Sequence, residues 1–314
     1  MQNLRKAPAV QDRVTPRSVS TLLRELIDYA GLFPPASVSM MQAVANYKDY
    51  LASRWNWILG RFIVPVPRLD EFEDAFRSAF STGPKQELWR LAALLGAEPV
   101  ADALRVRDFN MRMKESDCGR RAVVDSVEVR VGGAEEIKRL SEVITPDLTA
   151  YFEIPILQCE ANLAVLAISG HRAKLRTGGE TADKFPLPET ILEFIRSCRA
   201  ANVPFKATAG LHHPLRSTHR FTYQPDSPLG IMNGFLNVFL AATFLRTGTT
   251  SELAVQLLNE QLPEAIGFDD DGVTWREHRV SHQEIASARR DFAISFGSCS
   301  FTEPIEDLRA LHLL

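Results

Sequence analysis

Two lysines stand in closely matched settings. RAKLRTGG (172–179) carries Lys174 ahead of Thr177, Gly178 and Gly179, and VPFKATAGL (203–211) carries Lys206 ahead of Thr208 and Gly210. Both runs are short, apolar and bounded by glycine, so they read as strands whose lysines lie near the strand ends. Burial disfavours an ammonium, and a second ammonium alongside lowers at least one of the two affinities for a proton further. An amine so placed is nucleophilic near neutral pH and forms a Schiff base with a carbonyl compound. The competing reading is structural: a lone strand lysine usually points outward and reaches solvent along its methylene stem.

Other ionisable residues fall near strand ends as well, namely Asp28, Asp125, Glu128, Glu153, Arg176, His212 and His213. Strand alternation puts Lys174 and Arg176 on one face and Lys206 and Thr208 on one face. The same rule groups Asp125 with Val127 rather than with Glu128. Adjacent histidines cannot easily face one ion together, so His212 and His213 read as acid–base groups or loop residues, and no metal is expected.

Holding two strand-end lysines in one pocket requires parallel strands, and the chain alternates accordingly. Strand-like runs are LIDYAGLF (26–33), WILGRFIVPV (57–66), LWRLAALLG (88–96), AVVDSVEVRV (122–131), LTAYFEIPIL (148–157), the two lysine runs, and FAISFGSCS (292–300). The third is ambiguous between strand and helix. Stretches of helical spacing lie between them, including 41–52, 69–80, 135–144, 161–169, 188–202 and 232–245, with a last one from Glu303. Eight such units predict an α/β fold, a closed (β/α)8 barrel, with chemistry at the C-terminal strand ends. One domain is expected over 21–314 after an N-terminal extension, 1–20. A segment at about 246–291, with a helix and a hairpin around GFDDDGVTW, looks inserted before the last strand.

Charge excludes several classes. The chain has 314 residues and a net charge of -3, from 36 Lys+Arg against 39 Asp+Glu, so neither a nucleic-acid surface nor an acidic tail is indicated. Cys118, Cys159, Cys198 and Cys299 form no C-x-x-C pair, which argues against a zinc knuckle and a disulfide framework and favours a reducing cytoplasm. The first twenty residues carry Arg5, Lys6, Arg13 and Arg17 without an apolar segment. The run at 232–245 is too short to span a bilayer and contains asparagines, so no membrane partner is expected. Asp269, Asp270, Asp271 and Gly272 read as a solvated turn rather than a calcium loop. Cys299 reads as a small buried hydrophobe, since no base is fixed near it in sequence.

The two lysine elements, taken together, resemble deoxyribose-phosphate aldolase, whose sixth and seventh strands carry Lys-x-x-Thr-Gly and Lys-Ala-x-x-Gly. LIDYAGLFPP resembles that family's opening Ile-Asp-His-Thr-x-Leu-x-Pro segment. VVDSVEV resembles its Ile-Asp-x-Val strand, YFEIPIL its strand ending in Glu, and ISFGSCS its last strand; all fall in the same order across about 27–300. The resemblance implies that Lys174 forms the imine, that Lys206 tunes it, and that Asp125 moves protons. It implies that Gly178, Gly179, Gly210, Ser298 and Ser300 hold a phosphate. Differences bear on the substrate. Arg176 replaces a small residue, LHHPLR replaces a Gly-Ile-Arg turn, and the 246–291 segment has no counterpart.

The sequence therefore leads to a lysine-dependent aldolase or lyase acting on a small carbonyl compound that is phosphorylated or carboxylated. Lys174, Lys206, Asp125, Glu153 and His212 are the expected catalytic residues. Arg176, Thr177, Gly178, Gly179, Gly210, His213, Ser298 and Ser300 are the expected binding residues, with an anionic small molecule as partner. No cofactor is called for, and self-association is left open. The competing functions are a phosphoribosyl transferase or metal-assisted hydrolase on the same barrel, or a non-catalytic anion-binding barrel.

Overall fold

The computed structural model describes residues 15–80, 88–115 and 122–314. Eight parallel strands close on themselves: β1 (Ile27–Tyr29), β2 (Leu59–Pro65), β3 (Trp89–Leu94), β4 (Ala122–Arg130), β5 (Thr149–Glu153), β6 (Arg172–Arg176), β7 (Phe205–Thr208) and β8 (Ala293–Ser298). β8 returns to pair with β1, so the sheet has no edge. A helix follows each strand and covers the outside: Met40–Ala52, Leu69–Ala79, Pro99–Glu115, Ala134–Ser141, Glu160–Ser169, Pro188–Ala200, Phe235–Arg246 and Thr302–Ala310. The protein is a (β/α)8 TIM barrel, with every strand where the sequence predicts one, the ambiguous third included.

The alternation has a packing cause. Helix Phe235–Arg246 is buried nearly all round, because a further helix, Ser251–Leu258, covers its outer side. Its Phe235 ring lies 5.1 Å from that of Phe296 on β8, stacked at 21°. The helix after β3 was not evident from sequence. Its charged outer face hides a stripe of Ala103, Val106, Phe109 and Met113 at helical spacing.

Additions sit at both ends of the barrel. A hairpin of Ser217–Arg220 and Leu229–Met232 follows β7. The 246–291 segment contains helix Ser251–Leu258, a three-stranded antiparallel sheet (Ile266–Phe268, Gly272–Trp275, His278–Ser281) and helix His282–Asp291. The Asp269–Gly272 stretch is the turn joining the first two of those strands, with Asp269 Oδ1 accepting from the backbone N–H of Asp271 and Gly272 at 2.9 Å each. Helix His282–Asp291 starts with a reciprocal Ser281–Glu284 cap and packs on β8 and on helix Arg17–Leu23. Its half-buried Arg289 donates to the carbonyls of Leu22, at 2.8 Å, and Ala293, at 2.5 Å, joining these elements at the N-terminal end of the barrel. That part of the segment is wall rather than appendage.

Above β6 and β7 the two following loops cross in van der Waals contact. A Cβ on Gly178 would lie 2.8 Å from the Gly210 Cα, and one on Gly210 would lie 2.7 Å from the Gly178 Cα. Gly210 also has φ +74°, directly after Ala209 at φ 64°. Gly210→Ala is expected to lower unfolding stability by about 1–3 kcal/mol, through backbone strain and the loop clash. Urea unfolding of the two proteins checks it, and an unchanged midpoint would contradict the close crossing.

Candidate functional site

Strand register brings the chemistry together. Lys174 on β6 lies directly beside Lys206 on β7, and Glu153 on β5 directly beside Lys174. Both lysines point into the barrel, with residual exposures of 4% and 1%. Between their amines lies Glu128 of β4, itself 1% exposed. Its Oε2 is 2.8 Å from Lys174 Nζ and its Oε1 is 2.6 Å from Lys206 Nζ. Lys206 also donates to Asp28 Oδ2 of β1 at 2.6 Å and lies 5.3 Å from the Tyr151 ring. Lys174 has a second carboxylate, Glu153 Oε2, at 3.3 Å. Arg176 holds the other oxygen of Glu153 through Nε at 2.8 Å.

Three cations thus face three carboxylates, and the cluster is neutral as a unit. Burial alone would raise the Glu128 carboxyl, but the charges of Lys174 and Lys206 outweigh it and hold it at about 2. Burial alone would lower the Lys206 ammonium, yet Asp28 and Glu128 hold it above the usual lysine value. Bare repulsion between the lysines, expected from sequence, is replaced by a shared carboxylate.

Backbone geometry explains how Asp28 is available. The β1–β2 register shifts between Ile27 and Tyr29, and Asp28 Oδ1 accepts the N–H of Arg61 at 2.7 Å there. A Cβ at Gly60 would collide with that carboxylate oxygen. Ser295 Oγ of β8 donates to Asp28 Oδ2 at 2.8 Å, so the carboxylate is fully bound.

The cluster opens upward into a cavity of about 380 Å³ at the C-terminal mouth. Lys174, Glu128, Arg176 and His212 line it, together with Gly178, Gly179, Gly210 and Cys299. Lys206 lies beneath the wall. His212 Nδ1 meets Glu303 Oε2 of the last helix at 3.1 Å and Cys299 Sγ at 4.0 Å. Tyr223 donates to Glu303 Oε2 at 3.1 Å. Burial would lower the imidazole, but the contacts with Cys299 and Glu303 raise it to about 9, so it is protonated at neutral pH. Glu303 is correspondingly held below the usual carboxylate range, despite its burial.

Several expected residues lie elsewhere. Asp125 sits at the N-terminal end of the barrel, bound to Arg61 Nε at 2.6 Å and Arg90 Nε at 2.7 Å. The β3–β4 ladder slips between Leu91 and Ala92, passing over Asp125, which changes the alternation on β4. Glu128, not Asp125, is therefore the carboxylate of that strand that meets the lysines. Ser300 caps the last helix, accepting the Glu303 N–H at 3.1 Å, and the Ser298 hydroxyl accepts from Ser300 N at 3.4 Å; neither lines the cavity. Thr177 Oγ1 donates to the Ala209 carbonyl at 2.6 Å and ties the two loops instead. His213 pairs with Asp307 Oδ2 at 2.6 Å and stacks on His219, outside the cavity wall.

Among the described residues, no three His, Cys, Asp or Glu side chains group as a cation site, and no helix is long and apolar enough to cross a membrane. Cys159, Cys198 and Cys299 are free thiols, and Cys118 lies outside the described residues. Comparison with models of known protein families finds no match, and neither does comparison with curated proteins.

Removing one member of the bridge leaves buried charge behind. Lys206→Met is expected to cost about 3–5 kcal/mol at pH 7, because Asp28 and Glu128 lose their shared cation. The wild-type contribution of Glu128 is present above its ordinary value of 4.5 and is lost as pH falls toward 2. In the variant Glu128 protonates more readily, so the deficit shrinks on acidification. Urea unfolding at pH 7 and pH 5 measures both; a deficit that grew at pH 5 would contradict the bridge.

Proposed function

We propose that this protein is a metal-independent aldolase or lyase in which Lys174 forms an imine with a small carbonyl compound bearing a carboxylate or phosphate. One observation carries the reading: Lys174 alone of the paired lysines lines the mouth cavity, with Glu153 3.3 Å away to take its proton and Glu128 held as a fixed negative charge. The order of strand elements shared with deoxyribose-phosphate aldolase supports it, with Glu128 taking the part expected of Asp125.

The chemistry follows from the placement. The Lys174 ammonium passes a proton to Glu153 and its lone pair attacks the carbonyl carbon. The same carboxyl returns the proton to the new hydroxyl, which leaves as water and gives the iminium. Cleavage of the adjacent carbon–carbon bond sends its electron pair into the iminium, producing an enamine, while the departing hydroxyl loses its proton to a carboxylate. The His212 imidazolium, held by Glu303, then protonates the enamine carbon; water releases the product and restores the Lys174 ammonium, and the protonated carboxyl returns its proton to the imidazole through water. Lys206 stays charged and keeps Glu128 ionised beneath the reacting nitrogen. Arg176 at the cavity rim receives the anionic group.

Incubation with a panel of aldehydes and ketones plus borohydride, read by intact mass, is expected to give one adduct in wild type and none in Lys174→Met. No adduct in folded wild-type protein would overturn the imine and leave an anion-binding barrel or a hydrolase.

Enamine protonation makes a second expectation. Exchange of substrate α-hydrogens in D2O should decline as pH rises through about 9, where His212 loses its proton. His212→Gln should slow exchange by roughly 10²-fold and remove that decline. A full alkaline decline in the variant would remove His212 from the mechanism.

A further inference from the structure

A second cavity of about 590 Å³ opens on the other side of the Arg176–Glu153 pair. Three cations line it: Arg130 at the end of β4, Arg176 at the end of β6, and Lys184, the last paired with Asp183 Oδ2 at 3.1 Å. Arg176 and Lys184 line both cavities, and Glu153 stands between Lys174 and the second one. The Arg176 side chain is 46% exposed although its guanidinium is bound to a carboxylate that is 8% exposed. One partner is therefore free to swing and the other is fixed.

Glu153 is divided between two cations, with Arg176 Nε 2.8 Å from Oε1 and Lys174 Nζ 3.3 Å from Oε2. While Arg176 is bound there, the carboxylate is a poor acceptor for the Lys174 proton. An oxyanion competes directly for the guanidinium fork, since carboxylate and phosphate can each present a pair of oxygens to it.

We propose that the second cavity binds the oxyanion of the substrate and that this oxyanion, by drawing Arg176 off Glu153, releases Glu153 to take the proton from Lys174. The inference rests on the imine reading and adds a trigger to it: the amine becomes nucleophilic only when the anionic end of the substrate has docked. The proton stays within the site, moving from Lys174 nitrogen to Glu153 oxygen, where it is available to the hydroxyl that leaves as water. Binding energy from a part of the substrate remote from the reacting carbon is thereby used on the chemical step. The substrate class narrows to carbonyl compounds with an oxyanion several bonds from the carbonyl, long enough to pass from one cavity to the other beside Arg176.

The oxyanion can be supplied in a separate piece. Glyceraldehyde, which is uncharged, is trapped on the full-length protein with cyanoborohydride, and the trapping rate is followed by intact mass in chloride, phosphate, phosphite or acetate at matched ionic strength. Phosphate and phosphite, or acetate if the natural group is a carboxylate, should raise the rate about tenfold and saturably; the more effective anion identifies the group. Arg176→Gln should trap faster than wild type without any added oxyanion and gain nothing when one is added. Arg130→Ala should need several-fold more phosphate for half the effect. Adduct formation at one rate in all four anions would overturn the trigger while leaving the imine standing. A slow Arg176→Gln that still responds to phosphate would overturn it too. No adduct under any condition would overturn the imine reading and this inference with it.

Discussion

Glu128 carries two ammoniums at the floor of the barrel mouth, one on each oxygen. Burying either lysine or the carboxylate alone would cost several kcal/mol in lost hydration, which close opposite charges with further hydrogen bonds can offset. The offset needs all the partners at once. Asp28 must close off Lys206, Glu153 must flank Lys174, and Arg176 must hold Glu153. The contributing residues come from β1, β4, β5, β6 and β7, so the charge balance depends on closure of the sheet as much as on any local sequence.

The same balance separates two chemically equal side chains. Lys206 sits below the cavity, bound to Asp28 and Glu128 and covered by the Tyr151 ring. Lys174, one strand away in register, shares Glu128 but opens to the cavity. Strand position supplies the pairing, and depth in the barrel supplies the difference in role. On the far rim, Glu303 of the last helix reaches His212 of the loop after β7, so the charged imidazole is held by an element that follows the last strand.

Strand positions were legible in the sequence because each barrel strand is a short apolar run punctuated by glycine, proline or a charged helix start. The lysines were legible for the same reason, being polar atoms inside those runs. Asp125 was expected at the site from the resemblance alone, and a single slipped residue on β4 leaves it at the N-terminal end while Glu128 meets the lysines. Nothing local announces that slip. Glu303, Tyr223 and Lys184 were missed because they reach the site from a helix and loops outside the strands that carry the lysines. Ser298 and Ser300 followed the family pattern, yet their hydroxyls are spent on the turn into the last helix.

In the proposed mechanism, depth and charge pairing make Lys174, and not its neighbour, the reactive amine. Peptide mapping of the borohydride-reduced adduct by tandem mass spectrometry tests it most directly. The trapped carbon is expected on Lys174 alone, with Lys206 unmodified even at long incubation. Modification of Lys206, or of the cavity-rim Lys184 in place of Lys174, would contradict it.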